Sequence, residues 1–211
     1  MPIVAVPKTS RGPVSARSPL LGDDATLVTR AQRGDTKAFE LLVARHTRLA
    51  GAVAVSVVSD YHLAMDVVQE AFVKVLSGIG NLEEPERFRG WLRNIVRTTA
   101  IDVLRRRKVA GRTGEALPGQ DEDTAPLPAP DLQPDDVLAQ AELREQVRAE
   151  IAALPESQRE VVMLKYLEGL SYEEIAKLTG LTISTIESRL FRARKALQGR
   201  LVQRFGGRVS R

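Results

Sequence analysis

Cysteine is absent from the 211 residues, so the chain holds no disulfide, no cysteine-ligated zinc and no thiol nucleophile, and nothing in it requires an oxidising compartment. Histidine is nearly absent: His46 and His62 are the only two, which leaves little for imidazole or metal chemistry. Long apolar runs are missing too. The most apolar stretch, Leu49 to Val58, is far short of the roughly 20 residues that a membrane-spanning helix needs. The N-terminus spreads Pro2, Pro7, Pro13 and Pro19 among basic and small residues without a continuous apolar region, so it does not read as a secretory signal. A cytoplasmic protein that is not itself a membrane protein is expected. The familiar catalytic motifs are also lacking. There is no glycine-rich phosphate loop, no His-Glu-x-x-His and no Gly-x-Ser-x-Gly. Glu173 and Glu174 are adjacent on a helix and point apart, so they do not share a substrate. No catalytic, cofactor-binding or metal-ligating residue is assigned, and no small-molecule substrate is expected.

What is present is a composition with 43% apolar and 27% charged residues, that of a soluble globular protein. The net charge is only +4, but it is unevenly spread. Residues 109–139 carry one basic and seven acidic side chains, whereas Arg189 to Arg211 carry eight basic ones and no acid. An acidic middle between basic flanks suits a polyanionic partner, although a solvated helix end with a tail accounts for the charge alone equally well.

Residues 1–22 show no periodicity and are expected to form an extension without a fixed fold. A first unit then starts near Asp23. Asp35 is placed to cap a helix that carries Phe39, Leu42, Val43, His46, Leu49, Ala50 and Val53 at three- and four-residue steps. His46 lies on or beside that apolar face and reads as a packed core residue. Asp60 caps a second helix with the stripe Leu63, Ala64, Val67, Val68, Ala71, Phe72, Val75 and Leu76, and Asp66, Gln69, Glu70 and Lys74 form one polar patch on its other side. By spacing alone that patch is an ordinary solvated face. A third helix is expected from about Glu86 to Lys108, burying Phe88, Trp91, Leu92, Ile95, Thr99 and Val103. Arg89, Arg93 and Arg97 recur at every fourth residue on a separate face, and Arg105 to Lys108 close the helix where cations favour the macrodipole. Such a stripe beside Trp91 also suits a nucleic-acid groove, because guanidinium groups hold phosphates and aromatic rings stack on unpaired bases.

Residues 109–136 hold most of the excess acid with repeated proline and glycine, a composition that reads as a flexible linker between two domains. From Val137 the helical pattern resumes. Pro155 reads as a first helical residue, and Val161, Val162, Leu164, Tyr166 and Leu167 are expected to form the core of the next helix before Gly169 ends it. Ser171-Tyr172-Glu173-Glu174 is a capping box, Gly180 permits a tight turn, and Thr182 opens a helix that turns Ile186, Leu190, Ala193 and Leu197 inward. This is a helix-turn-helix. Helix pairs of this kind also serve as plain packing units, but the outward set Thr185, Glu187, Ser188, Phe191, Arg192 and Lys195 with an acid-free basic end favours DNA.

The two units together resemble the extracytoplasmic-function sigma factors, the compact initiation factors of bacterial RNA polymerase. The first unit matches sigma domain 2 through Arg33-Gly34-Asp35-x-x-Ala38-Phe39, Asp66-Val67-Val68-Gln69-Glu70-Ala71-Phe72 and Phe88-Arg89-Gly90-Trp91-Leu92. The second matches domain 4 through Leu154-Pro155-x-x-Gln158-Arg159-Glu160-Val161, Gly169 to Ala176 and Ser188 to Leu197. The resemblance implies an all-α chain with domain 2 at 23–108, a linker at 109–136, domain 4 at 137–200 and a basic tail at 201–211. It implies core RNA polymerase as partner, through its beta-prime clamp helices and beta flap, together with promoter DNA and an anti-sigma factor.

By the same resemblance, Asp66, Gln69 and Glu70 dock on the polymerase. Trp91, Arg93, Arg97, Thr98, Ile101 and Arg105 face the minus-ten element as it melts. Thr185, Glu187, Ser188, Phe191, Arg192 and Lys195 face the minus-thirty-five element. Two positions depart from the family pattern. Thr98 stands where the family often has asparagine, and Glu187 where it usually has lysine or arginine. An acid at 187 repels phosphate but can accept from a cytosine amino group, which predicts an unusual minus-thirty-five sequence. A stand-alone helix-turn-helix regulator is the alternative reading, but it leaves the first unit without a role.

Overall fold

The computed structural model describes residues 23–113 and 145–205, and every regular element among them is helical. The extension 1–22, the greater part of the expected linker and the end of the basic tail lie outside the described residues. Each early helix begins where a short acidic side chain supplies an acceptor to amides that have no partner in the first turn. Asp23 accepts from Thr26 N at 2.8 Å and starts α1 (Asp24–Gln32), a helix that the periodicity does not reveal. Asp35 accepts from Ala38 N at 3.1 Å to start α2 (Thr36–Val58), and Asp60 accepts from Leu63 N at 3.0 Å to start α3 (Tyr61–Gly78). Both of these caps are the ones expected. A 3-10 turn at Pro85–Arg87 delays the third long helix, so α4 spans Phe88–Thr113, starting two residues later than expected and running past Lys108.

The core of this first unit is aliphatic. Leu42, Val53, Val67, Val75, Phe88, Leu92 and Val96 are essentially inaccessible to solvent where α2, α3 and α4 meet, with Leu27 and Val28 of α1 closing one side. Along α4 the buried line is Phe88, Leu92, Val96, Thr99 and Ala100, while Trp91, Ile95 and Val103 are only half-buried, at its margin. By length and composition, α2 is long and apolar enough to cross a membrane, more than the stretch Leu49 to Val58 suggests. Its apolar positions are instead used inside the protein, since α2 packs on α1, α3 and α4 at once. His46 is buried on that helix, 5.3 Å from the Phe88 ring, with Nε2 at 3.0 Å from Asp24 Oδ2. It is a core histidine, as its position on the helix suggests.

The second unit comprises α5 (described from 145, to 152), α6 (Glu156–Val162), α7 (Tyr172–Thr179) and α8 (Ile183–Phe205). Pro155 is the residue before α6 and not its first, with φ −54° and ψ 140°. Beyond Val162 the chain continues as a π-helical turn, Met163–Leu167. The wider turn changes the register, so Val161, Val162 and Leu164 are buried as expected whereas Tyr166 and Leu167 are 59% and 43% exposed. Neither belongs to the core that a regular helix would have given them.

Sequence periodicity leads to two units tethered by a spacer; in the structure they are packed together. α2 touches α6 and the π-helical turn, α4 touches α7, and the buried apolar residues of both units form one cluster.

Asp24 ties α1 to α2 through Arg45 and His46, and it gives the first unit an acid-sensitive joint. Burial pushes its carboxyl up, but the hydrogen bond and charge of His46 and those of Arg45 outweigh burial and bring it down to about 2 from 3.8. A group lowered in the folded state stabilises the fold above its unfolded value and loses that contribution as pH falls through the folded one. Urea unfolding of Asp24→Asn should therefore show a loss of about 2 kcal/mol near neutral pH that shrinks below pH ~4 and vanishes near pH ~2.

Candidate nucleic-acid interface

The helix pair α7–α8 is held by local hydrogen bonds that its sequence specifies. Ser171 Oγ accepts from Glu174 N at 3.1 Å while Glu174 Oε2 accepts from Ser171 N at 2.8 Å, the reciprocal capping box that the motif predicts. Gly180 ends α7 in the left-handed region at φ +74°, and the Thr179 hydroxyl donates to Ile175 O at 2.7 Å and accepts from Leu181 N at 3.3 Å. Thr182 then accepts from Thr185 N at 3.3 Å. Ile186, Leu190 and Ala193 turn inward and are buried, which leaves Glu187, Ser188, Phe191, Arg192 and Lys195 on the exposed side of α8. Phe191 is 63% exposed, beside Arg192 and one turn before Lys195. Thr185 is half-buried, its hydroxyl 2.8 Å from that of Thr182, so it is the least free of the six.

The residues expected to face the minus-ten element are in a different state. Trp91 is half-buried, 6.2 Å from the Phe88 ring and packed over Gly78, where an added Cβ would stand 3.4 Å from the indole. Thr98 is exposed and turns its hydroxyl back onto its own helix, 2.9 Å from Asn94 O. Ile101 is half-buried, and Arg105 is exposed beside Asp102 at 3.7 Å. Arg93 and Arg97 are not on a free face. Arg93 Nη2 lies 2.6 Å from Glu160 Oε1, with its side chain 12% and that of Glu160 4% exposed, and Arg97 Nη1 lies 2.5 Å from Glu156 Oε1. Both partners belong to α6 of the second unit.

This contact between units brings in residues that sequence reasoning did not single out. Arg159 is buried and reaches back to the C-terminus of α2, donating to Ser56 O at 3.0 Å and to the Ser59 hydroxyl, and to Leu154 O at 2.8 Å. Ser56 O is one of the carbonyls that the end of α2 leaves without partners, where a cation is favoured. Arg48 pairs with Glu168 at 2.9 Å and donates to Leu167 O at the π-helical turn. Burial pushes the Glu168 carboxyl above the usual range, more than the nearby Arg48 and Arg89 offset. One sequence signal was available: Glu156 and Glu160 stand four apart, as do Arg93 and Arg97, so one turn of each helix presents charges at matching intervals.

Asp66 and Gln69 are exposed on α3, and Glu70 is half-buried, 3.0 Å from Lys74 Nζ and 2.6 Å from Arg106 Nη2. Burial raises the Glu70 carboxyl, but the hydrogen bonds and charges of Arg106 and Lys74 hold it below the usual glutamate range. Alongside Gln69 runs an apolar groove of about 440 Å³ between α2 and α3, lined by Phe39, Val43, Met65, Phe72, Val73 and Leu76 among others. Among the described residues no group of acidic and histidine side chains is placed to hold a metal ion.

The arrangement matches known proteins. Residues 42–109 fit the family model for sigma-70 region 2 and residues 144–197 the one for sigma-70 region 4. The ECF RNA polymerase sigma-E factor of Escherichia coli K12 is 33% identical over 84% of this chain and 94% of its own length. The RNA polymerase sigma-H factor of Pseudomonas aeruginosa is 36% identical over 82% and 91%. Among solved structures, CnrH in complex with the cytosolic domain of CnrY aligns with a TM-score of 0.58 at 28% identity, over 84% of this chain and 96% of that one. The sigma factor RpoE of Bartonella quintana, in complex with the anti-sigma factor NepR, aligns at 0.56 and 27%, over 77% and 96%.

At Gly180 a side chain would meet no neighbour, so only the backbone conformation opposes substitution. Gly180→Ala should lower stability by about 1 kcal/mol through the left-handed φ alone, measured by thermal unfolding, with the helix content of the native state unchanged.

Proposed function

Starting from the fact that the chain belongs to the extracytoplasmic-function group of sigma-70 RNA polymerase sigma factors, and so directs core RNA polymerase to promoters, we propose which of its residues do the work. The observation that carries the reading is the exposed side of α8, where Glu187, Ser188, Phe191, Arg192 and Lys195 stand together behind a capped, glycine-turned helix pair. A helix presented in this way enters the major groove, its first turns at base edges and its later basic residues at phosphates. Thr185, Glu187, Ser188 and Phe191 then read the minus-thirty-five element, and Arg192 and Lys195 hold its backbone. Glu187 accepts from a cytosine amino group, which makes the preferred sequence depart from one read by a lysine or arginine at that place.

On the first unit, α4 serves the minus-ten element. Trp91 and Ile101 offer apolar surface to unstacked bases, Arg93, Arg97 and Arg105 hold the strand, and Thr98 brings a hydroxyl in place of an amide. Binding energy for unpaired bases traps the open state, so melting is a population shift that needs no chemistry from this chain. Asp66, Gln69 and Glu70 dock on the polymerase, where mixed charge and hydrogen bonding give a specific, reversible contact. The groove beside them, with Val73 64% and Leu76 56% exposed, supplies the apolar part of that surface. The same faces are available to an anti-sigma factor. Residues 23–108 and 137–200 act as the two functional domains, in the cytoplasm with the polymerase.

Run-off transcription with purified core polymerase on a randomised promoter library tests the reading. Wild-type protein should give defined starts that share a two-part upstream motif. Glu187→Arg should change the preferred base at one minus-thirty-five position by about tenfold or more, in line with the 1–3 kcal/mol of a good base contact. An unchanged motif excludes the Glu187 contact. Loss of promoter-dependent transcripts in an Asp66→Lys, Gln69→Lys variant that still folds checks the polymerase patch.

A further inference from the structure

α3 ends at Gly78 and α4 begins at Phe88, so residues 79–87 join them. Two 3-10 turns make up most of this connection, Ile79–Asn81 and Pro85–Arg87. Each is closed by one local bond, Leu82 N donating to Ile79 O at 3.2 Å and Arg87 N to Glu84 O at 2.9 Å, and neither has a side-chain cap at its start. Turns this short, with the poorer hydrogen-bond geometry of the 3-10 form, do not hold a position by themselves. The hold on the first comes from far back in the chain. Gln32, half-buried at the end of α1, donates from Nε2 to Ile79 O at 3.0 Å and to Leu82 O at 2.8 Å.

These two carbonyls bracket the first turn, so a single amide group fixes both of its ends against α1. A primary amide has two N–H donors, and both find acceptors here. The requirement is specific. Glutamate, of the same shape, turns oxygens toward carbonyl oxygens; asparagine is one methylene shorter; an apolar side chain leaves Leu82 O without this partner. α1 also packs on the second 3-10 turn, so the whole connection rests on that helix. The held turn borders the surface that carries Trp91. The indole packs over Gly78, the residue just before the turn, where an added Cβ would stand 3.4 Å from the ring. A shift of the turn therefore shifts the floor under the indole. Gly80, Asn81, Glu83 and Glu84 of the connection are exposed.

We propose that Gln32 is a positioning residue for minus-ten recognition: by holding Ile79 O and Leu82 O it fixes the connection 79–87 beside Trp91, and with it the shape of the surface that receives an unstacked base. Gln32 touches no DNA in this role. The proposal rests on the assignment of Trp91 to the minus-ten element made above, and it gives α1, which that assignment leaves unused, a part in base selection. An unpaired base is told from its competitors by how well it fits a surface that is already in place, so a connection that is not held accepts more than one base.

Holoenzyme assembled with the full chain and run on the randomised promoter library reads both promoter elements at once. Gln32→Met keeps an unbranched side chain of good helix propensity and removes both donors. It should flatten the base preference within the minus-ten element about fivefold, the order expected for the lost hydrogen bonds, and leave the minus-thirty-five preference unchanged. Gln32→Glu, which keeps the shape, is the second route should Gln32→Met fold poorly. Gln32→Lys returns N–H donors on a chain long enough to reach both carbonyls and should keep the preference sharp; a preference as flat as that of Gln32→Met overturns the role of the donors. A uniform fall in transcripts with both motifs unchanged marks a purely structural residue and overturns the proposal, as does a wild-type yield with an unchanged minus-ten preference. Trp91→Leu reports on the underlying assignment separately. If it leaves the minus-ten preference intact, the surface around Trp91 does not read that element; a flattened preference in Trp91→Leu with a sharp one in Gln32→Met overturns the positioning role alone.

Discussion

A guanidinium that leaves water must find acceptors, and the second unit of this protein is positioned by two that do so, Arg159 and Arg93, with the exposed Arg48 beside them. Arg159 takes Ser56 O at the end of α2 and Leu154 O ahead of its own helix, Arg93 takes Glu160, and Arg48 takes Glu168 and the carbonyl of Leu167. Apolar burial holds each unit together, but it is indifferent to direction. Charged hydrogen bonds have fixed lengths and angles, so they choose one orientation of α6 on α2 and α4 from the many that would bury similar area. The exposed side of α8 and the covered side of α4 both follow from that choice.

The local devices upstream of this contact are of one kind. Asp23, Asp35, Asp60 and Ser171 each satisfy amides that a helix leaves open, and each does so within three residues in sequence. Such caps define where helices begin independently of what they pack on. The π-helical turn Met163–Leu167 is different. It shifts the register of α6 after Leu164 and turns Tyr166 and Leu167 out of the core, and it leaves the carbonyl of Leu167 facing Arg48. A defect within the second unit thus becomes an attachment point for the first.

A sigma factor has to be assembled from surfaces that work together only on the polymerase, and this chain separates them by degree of commitment. The polar face of α3 and the outward side of α8 stand free, whereas the arginine stripe of α4 is engaged. Glu70 is intermediate, exposed in part yet tied to Arg106 near the end of α4, so the polar patch of α3 and the basic end of α4 share an ion pair.

Much of this was legible in the residues in order. Capping residues and three- and four-residue apolar steps gave α2, α3, α4 and the helix-turn-helix, because those features depend on neighbours within one or two turns. The position of His46 in the core and the outward row of α8 followed from the same periodicity. The motif order carried the family. What periodicity missed has one cause: it measures how a helix faces a core, not which distant group meets its polar side. The helix at Asp24–Gln32 is short and weakly patterned, and the π-helical turn breaks the period that would have placed Tyr166 and Leu167. Above all, Arg89, Arg93 and Arg97 read along the chain as a free cationic stripe. Only the tertiary structure, which brings residues 67 apart within 2.6 Å, determined that in the folded chain their partner is a row of its own glutamates.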